Sequence, residues 1–270
     1  MQQHNTAGTA LITGASAGIG AVYADRLARR GHDLILVARD RRRLDAVAER
    51  VRQETGRKVE PLVADLLQQP DLRLVEERLR SDAAITMLVN NAGFSAPGSM
   101  LGAELDRLEE MVQLNAIVPM RLAGAVVPGL VARRRGTLIN IASVLALAPE
   151  LLNGVYSGTK AFVLNLSQSL HNELREHGVR VQAVLPGATR TEFWEKSGVA
   201  LSSLPQEGLM ETEEMVDVAL AGLDQGELVT IPSLPDAADW ERFNAARLAL
   251  GPKLSRDRAA ERYRRSAPVR

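Results

Sequence analysis

Three side chains in the middle of the chain have the types and the spacing for proton transfer. Tyr156 and Lys160 stand four residues apart, and Ser143 lies thirteen residues before Tyr156. On a helix, positions i and i+4 share one face about 5–6 Å apart, so the phenol and the ammonium group would be neighbours. A neighbouring cation typically lowers the pKa of an acidic group by about 1–3 units. The spacing predicts a tyrosine that acts as acid and base near neutral pH, although an exposed helix pair would have the same spacing.

Composition narrows the class of protein that carries this pair. Hydrophobic residues make up 46% of the 270 residues and aromatic residues only 3%, so Ala, Val, Leu and Ile must build the core, which suits helices layered on a buried sheet. The 33 basic and 33 acidic residues leave no net charge, so nothing indicates nucleic acid as a partner. Cysteine is absent and the four histidines lack ligand spacing, so we expect neither disulfides nor a metal site.

The beginning of the chain and its hydropathy give no sign of targeting or anchoring. Residues 1–5 lack the basic and apolar regions of a signal peptide. No uninterrupted apolar run reaches the ~18 residues of a membrane helix. We therefore expect a cytoplasmic protein that has no membrane partner.

Short apolar runs alternate with helical patterns, and these elements must position the three side chains. Helices are predicted over 19–30 and 41–54, and strands over 9–13, 34–38, 59–64, 85–90, 137–142 and 179–185. This alternation is typical of a parallel sheet covered by helices on both faces. The sequence predicts an α/β fold with a doubly wound parallel sheet of about seven strands, in a single domain over residues 1–270.

Two segments depart from this rhythm. Residues 188–210 combine Gly, Ser and Pro with Phe193 and Trp194, and they follow a strand at the edge where open α/β sheets bind ligands. We predict that they form a mobile lid over an apolar substrate, and a statically packed surface loop is the alternative. Residues 236–270 form an Arg- and Ala-rich tail with helical patterning.

A glycine-rich turn links the first strand to the first helix. Gly14, Gly18 and Gly20 follow a Gly-x3-Gly-x-Gly spacing there. Glycines permit a tight turn and a close backbone approach, while the helix N-terminus offers N–H groups to a pyrophosphate. The turn predicts a dinucleotide site, although strand-to-helix turns also use glycine for structure alone.

The end of the second strand indicates which dinucleotide binds. An acidic residue there would hydrogen-bond the ribose 2′-OH of NAD, but this chain has Ala38 and Arg39, followed by Asp40 and Arg41–Arg43. A guanidinium suits a 2′-phosphate by charge and by bidentate geometry. We therefore expect NADP(H) as cofactor with Arg39 as its contact, and most of Arg41–Arg43 in the solvated first turn of a helix.

The ordered set of motifs resembles the short-chain dehydrogenase/reductase family over roughly residues 8–190. After the glycine turn come Asp65, Asn90-Asn91-Ala92-Gly93, Asn115, Ser143, Tyr156, Lys160, Pro186-Gly187 and Thr191. The resemblance implies a Rossmann-like fold and an enzyme that interconverts a carbonyl and a secondary alcohol of a small molecule, with hydride chemistry supplied by the cofactor. It also implies a homodimer or a homotetramer.

The resemblance implies residue roles as well. Tyr156 would exchange a proton with the substrate oxygen, Lys160 would lower the tyrosine pKa and hold the nicotinamide ribose, and Ser143 would hydrogen-bond the substrate oxygen. Asn115 would hold a water that links Lys160 to solvent. The expected cofactor-binding residues are Gly14, Ser16, Gly18, Ile19, Gly20, Arg39, Asp65, Leu66, Asn91, Ala92, Gly93, Tyr156, Lys160, Pro186, Gly187, Ala188 and Thr191.

Two other functions stay open. A 3-oxoacyl carrier-protein reductase would need a basic docking patch beside the active site, and the basic run Arg133–Arg135 lies at a predicted helix end. A non-catalytic NADP sensor would have no need of Ser143, Tyr156 and Lys160 together. The apolar residues that could form a substrate pocket, or equally belong to the core or an interface, are Phe193, Trp194, Val144, Leu145, Leu147, Leu151 and Leu152.

Overall fold

A seven-stranded parallel sheet lies at the centre of residues 1–232. The computed structural model describes residues 7–96, 100–151, 154–198, 200–203 and 206–263. The strand order is β3-β2-β1-β4-β5-β6-β7, and every neighbouring pair is parallel. The strands are β1 (Thr9–Thr13), β2 (Asp33–Ala38), β3 (Val59–Val63), β4 (Ile85–Asn90), β5 (Gly136–Ile141), β6 (Val179–Val184) and β7 (Val229–Thr230). The predicted parallel sheet of about seven strands is confirmed.

Helices connect these strands and cover both faces of the sheet. They are α1 (Gly18–Arg29), α2 (Arg41–Thr55), α3 (Gln69–Ser81), α4 (Leu105–Val112), α5 (Val118–Ala132), α6 (Gly154–Leu174), α7 (Phe193–Lys196) and α8 (Thr212–Asp224). Their ends follow local sequence signals. The Asp40 side chain caps α2 by accepting a hydrogen bond from Arg43 N at 3.0 Å, and Gly56 ends that helix with a φ of 68°, a conformation that glycine adopts without steric cost.

The two faces of the sheet bury two separate hydrophobic clusters. Ala10 and Ile12 of β1 pack with buried residues of α1, α2 and α8, whereas Leu11 between them packs with α3, α5 and α6. Successive side chains of a strand point to opposite faces, so a strand with helices on both sides is buried at each position. This is why the central strands read as continuous apolar runs.

One helical stretch runs without a break from Leu105 to Ala132, because a π-helical turn over Gln113–Ile117 joins α4 to α5. Within the described ranges it is the one stretch long and apolar enough, by length and composition, to cross a membrane. Half of its most apolar window is buried inside the fold, as in a core helix of a globular protein. The apolar run itself does not reach this length, because Gln113, Asn115 and Arg121 interrupt it, and the stretch meets the criterion through its mean hydropathy.

Residues 233–270 form a unit of their own. Its described part contains α9 (Ala237–Leu250), capped by the Asp236 side chain, which accepts a hydrogen bond from Ala238 N at 2.9 Å. The Trp240 and Phe243 rings of this helix lie 5.6 Å apart between centroids. The helical patterning of the tail thus corresponds to α9, and the assignment of residues 1–270 to a single domain stays a prediction.

Candidate active site

The predicted site residues meet at the carboxyl ends of the strands. The glycine turn follows β1, Asn91 follows β4, Ser143 comes shortly after β5, and Pro186 comes shortly after β6. Because all seven strands run in one direction, these ends share one edge of the sheet. The ends of β5 and β6 are tied together there, since Val144 N donates a hydrogen bond to Pro186 O at 3.0 Å.

Ser143, Tyr156 and Lys160 form a buried group at this edge. Their exposed fractions are 8%, 7% and 6%, and the Ser143 and Tyr156 hydroxyl groups are hydrogen-bonded to each other. Ser143 caps a short 3-10 helix, and its Oγ accepts a hydrogen bond from Leu145 N at 3.2 Å. The trio that the sequence spacing singled out is therefore one contiguous cluster, which brings α6 against the end of β5.

Lys160 lies beneath the tyrosine ring. Its Nζ is 5.6 Å from the centroid of the Tyr156 ring and donates a hydrogen bond to Ile141 O at 2.9 Å. Burial lowers the pKa of the Lys160 ammonium from 10.5 to about 8, because removal from water disfavours the charged form. The group remains largely protonated at neutral pH.

The pKa of Tyr156 moves in the direction opposite to the expectation. Burial raises the pKa of its phenol well above 10, and the hydrogen bond with Ser143 opposes this only in part. Desolvation is the larger of these two effects, and the Lys160 ammonium is directed to a backbone carbonyl. The tyrosine therefore holds its proton firmly.

Asn115 occupies the π-helical turn, where its side chain fixes the backbone that leaves β4. Its Oδ1 accepts a hydrogen bond from Phe94 N at 3.0 Å, and its Nδ2 donates to Phe94 O at 2.8 Å. A Cβ built on Gly93 would lie 2.9 Å from Asn115 Oδ1 and 3.7 Å from Lys160 Nζ, so only glycine fits between these two side chains. This positioning contact was not foreseen, and the predicted water site at Asn115 stays a prediction.

The glycine turn, called the glycine cradle below, packs so closely against Asn91 that Gly14 and Gly20 have no room for a side chain. Gly14 has a φ of 66°, and a Cβ on it would come 2.8 Å from Asn91 Nδ2. A Cβ on Gly20 would come 2.6 Å from the same atom. Ala17, at the N-cap of α1, makes no side-chain capping hydrogen bond, so no side-chain cap competes for the N–H groups of the first turn, which lack intrahelical partners. These features fit the pyrophosphate of a dinucleotide.

Asn91 has a structural contact that sequence analysis did not assign to it. Its Nδ2 donates to Thr13 O at 2.8 Å and to Gly14 O at 3.2 Å. Thr13 Oγ1 in turn accepts hydrogen bonds from Asn91 N and Ala92 N, both at 3.0 Å, and donates to Val89 O at 3.3 Å. The two residues anchor the glycine turn to the end of β4. Thr13 was not among the predicted site residues, because its position in a strand gave no sign of this role.

The residues expected on the adenosine side differ in their surroundings. Arg39 is exposed after β2. Asp65 stabilises its own turn, since its Oδ1 accepts a hydrogen bond from Leu67 N at 3.1 Å. The Leu66 side chain is buried in one of the two hydrophobic clusters, so only its backbone is available to a ligand.

The segment 188–210 lies against the tyrosine. The Phe193 ring is 5.9 Å from the Tyr156 ring, and Trp194 packs edge-on against Phe193. Trp194 Nε1 donates to Thr189 O at 2.8 Å, and the two ends of the segment are joined because Met210 N donates to Ala188 O at 2.9 Å. Any lid movement would therefore involve the middle of the segment, and its mobility stays a prediction.

Tyr156 packs within a hydrophobic cluster, which we call the apolar wall. It consists of Phe94, Ala96, Ala103, Leu108, Met111, Leu145, Val155 and Phe193. Of the apolar residues proposed from sequence for a substrate pocket, Leu145 and Phe193 belong to this wall, whereas Leu151 is exposed. Leu152 lies outside the described residues.

Comparison with known proteins agrees with this geometry. Residues 8–200 match the family described as short chain dehydrogenase. The chain belongs to this family. The curated family members include the very-long-chain 3-oxoacyl-CoA reductase of Anas platyrhynchos, which is 34% identical over 191 residues, covering 68% of this chain and 60% of that protein. The chain thus spans about 60% of the length of such curated relatives.

Two solved structures of family members resemble the chain over nearly its whole length. A short-chain dehydrogenase from Sphingobium yanoikuyae, in complex with NADPH, is 51% identical, with a TM-score of 0.93 and coverage of 95% of this chain and 100% of that one. A bulky-bulky ketone specific alcohol dehydrogenase from Comamonas testosteroni is 46% identical, with a TM-score of 0.89. The match covers 96% of this chain and 99% of that one.

The lowered pKa of Lys160 has a consequence for stability. The folded state binds this proton with a pKa of about 8, against 10.5 for an unperturbed lysine. Between these values the unfolded chain binds more protons than the folded chain, so stability gained from this group rises with pH. We compare the free energy of unfolding of wild type with that of Lys160→Met. The difference, wild type minus variant, should increase by on the order of 3 kcal/mol between pH 8 and pH 10.5. Urea unfolding at a series of pH values measures this difference.

The exposed Lys58 provides the control for that titration. Lys58→Met makes the same change of residue type at an exposed position, and its free energy of unfolding is measured at the same pH values. A pH-independent difference between wild type and Lys160→Met would contradict the burial of a charged lysine.

Proposed function

We propose that the protein is an NADP(H)-dependent oxidoreductase that interconverts a carbonyl and a secondary alcohol on a largely apolar small molecule. The observation that carries this proposal is the buried hydrogen bond between Ser143 and Tyr156 with the Lys160 ammonium beneath it. The glycine cradle at the same edge of the sheet brings a dinucleotide site next to this group. The nicotinamide, when bound, supplies or accepts the hydride.

Each member of the buried group has a distinct task in this proposal. Tyr156 keeps its proton because burial raises its pKa, so it can donate that proton to a carbonyl oxygen during reduction. Ser143 offers a second hydroxyl that can hold the same oxygen. Lys160, charged at neutral pH, holds the ribose and favours the phenolate that forms when Tyr156 has given up its proton.

The choice of NADP(H) rests on Arg39. It is exposed at the end of β2, and Asp40 beside it serves as the cap of α2. A free guanidinium at this place suits a 2′-phosphate. The likeness to the Sphingobium yanoikuyae enzyme, whose structure contains NADPH, supports this choice.

The apolar wall around Tyr156 supports a bulky apolar substrate. It contains two aromatic rings, Phe94 and Phe193, and the remaining members are aliphatic or methionine side chains. The similar Comamonas testosteroni enzyme is described as specific for bulky-bulky ketones, which agrees with a substrate that carries apolar groups on both sides of the carbonyl.

A reductase of acyl chains on a carrier protein is the second candidate, and the position of the basic run weakens it. Arg133 donates to Ile85 O at 2.9 Å and Arg135 to Ala7 O at 3.2 Å. Ile85 begins β4 and Ala7 precedes β1, so these arginines lie at the amino edge of the sheet. A carrier protein docked there would be on the side opposite to Tyr156.

The proposed reaction is tested by oxidation of NADPH with a panel of ketones, and by reduction of NADP with the matching alcohols. We expect turnover with bulky apolar ketones. Binding of NADPH without turnover of any carbonyl would instead favour the non-catalytic sensor. We further propose a cytoplasmic protein that assembles as a homodimer or a homotetramer, as oligomers are common in the family, and light scattering of the purified protein measures its mass.

The lid hypothesis predicts a selective effect of Trp194→Ala. Trp194 supports Phe193, which contacts Tyr156, and an aromatic pair contributes about 0.5–1.5 kcal/mol. We expect the Michaelis constant for bulky apolar ketones to rise about two- to tenfold, with little change for small polar ketones. Steady-state kinetics with both substrate types measures the difference.

Trp240, the second tryptophan of the chain, provides the control for this experiment. A Trp240→Phe background isolates the fluorescence of Trp194. A closing lid should alter this fluorescence when NADP(H) and substrate bind together. Equal kinetic effects on both substrate types and unchanged fluorescence would identify 188–210 as a static loop.

A further inference from the structure

An ion pair joins two segments that the sheet holds far apart. The Arg43 guanidinium in the first turn of α2 pairs with the Glu192 carboxylate in the segment after β6. The strand before α2 is β2, and β1, β4 and β5 lie between β2 and β6. At about 4.7–4.9 Å between neighbouring strands, this separation is roughly 19 Å. The segment after β6 must therefore pass across the intervening strand ends to bring Glu192 to Arg43.

Those intervening ends include the glycine turn, and the crossing segment leaves little space beside it. A Cβ built on Gly18 would lie 3.3 Å from Cγ2 of Thr191, the residue before Glu192. On the other side, Arg43 is held in place by the cap of α2, where its backbone N–H donates to Asp40 Oδ1. The ion pair thus completes a bridge of protein across the strand ends beside the glycine turn, and we call the space under this bridge the cleft.

We propose that Arg43 and Glu192 act as a clasp that opens to admit the dinucleotide and closes across it to retain it. This inference rests on the proposed function, because it takes the cleft at the glycine turn to be the cofactor site. The side chains are 35% and 46% exposed, so water can solvate both charges when the pair separates. An exposed ion pair is weak, and it changes a rate by at most about fivefold.

The clasp also connects the cofactor cleft to the substrate side. Phe193 follows Glu192 directly and packs against the Tyr156 ring at 5.9 Å. When Glu192 is paired with Arg43, the segment keeps Phe193 in contact with the Tyr156 ring. When the clasp opens, both Glu192 and Phe193 are free to move away. Arg43 and Glu192 are therefore positioning residues for cofactor retention and do not touch the reacting atoms.

The test is the dissociation rate of NADPH and of NADH, measured by stopped-flow displacement for wild type, Arg43→Gln, Glu192→Gln and the double variant. Each single substitution should accelerate dissociation of both nucleotides about two- to fivefold. The double variant should be no faster than either single variant, because both substitutions break the same contact. Arg50→Gln on the same helix and Glu195→Gln on α7 remove equal charges and should leave the rates unchanged.

Three results would overturn the clasp. The first is a dissociation rate in Glu192→Gln that equals the wild-type rate. The second is an acceleration in the double variant that equals the product of the accelerations in the two single variants. The third is an effect of Arg43→Gln on NADPH alone, which would make Arg43 a ligand of the 2′-phosphate. In each case wild type still binds and turns over its cofactor, so the proposed function stands. Absence of binding of either nucleotide to wild type would refute the proposed function and the clasp with it.

Discussion

Tyr156→Phe is expected to lower the turnover number about 10²–10⁴-fold, the usual contribution of a positioned acid or base. The phenylalanine ring keeps the contact with Phe193 but has no proton to give. Cofactor affinity should stay close to the wild-type value, since the substitution leaves the glycine cradle and Arg39 intact. Turnover of a bulky apolar ketone with NADPH, together with fluorescence titration of NADPH, measures the two quantities.

Tyr23 provides a matched control for this substitution. Its hydroxyl is fully buried and its pKa is also raised by burial, but it lies in the hydrophobic cluster of α1, away from Ser143 and Lys160. Tyr23→Phe should therefore retain turnover. Lys160→Ala should impair both turnover and cofactor affinity. A Tyr156→Phe enzyme with most of its activity would remove the central claim of the proposed function.

Arg39→Asp is expected to weaken or reverse the preference for NADPH over NADH. A charge-assisted contact with the 2′-phosphate contributes about 1.5–3 kcal/mol, or roughly ten- to hundredfold in affinity. An aspartate at the same place would repel the phosphate and could accept a hydrogen bond from the ribose of NADH. Dissociation constants of both nucleotides, measured at one salt concentration for wild type and variant, give the preference directly.

The control for Arg39→Asp is Arg50→Asp, which makes the same charge change further along α2. Arg50 pairs with Glu54 on the exposed side of that helix, so its substitution should leave the ratio of the two affinities unchanged. If wild type binds NADH as tightly as NADPH, the assignment of Arg39 is wrong.

The sequence by itself determined the sheet and the membership of the buried group. Runs such as residues 34–38 are apolar at successive positions because helices cover both faces of the sheet, and this local signal gave every central strand to within one residue at each end. Tyr156 and Lys160 share a helix, so their separation of four residues was enough to bring them together. The glycine turn could also be predicted from the sequence, because its conformation depends on residues adjacent in the chain.

Tertiary structure alone decided what joins these elements to one another. Thr13 and Asn91 are separated by 78 positions in the chain, and Arg43 and Glu192 by 149, so no local pattern could pair them. The effect of burial on the pKa of Tyr156 was hidden from sequence analysis for the same reason. Spacing reveals the neighbouring cation, but burial of Tyr156 results from contacts with α4, α6 and the segments that follow β4, β5 and β6. In a site closed by several elements, desolvation raises the pKa of the phenol, and only the folded chain brings those elements together.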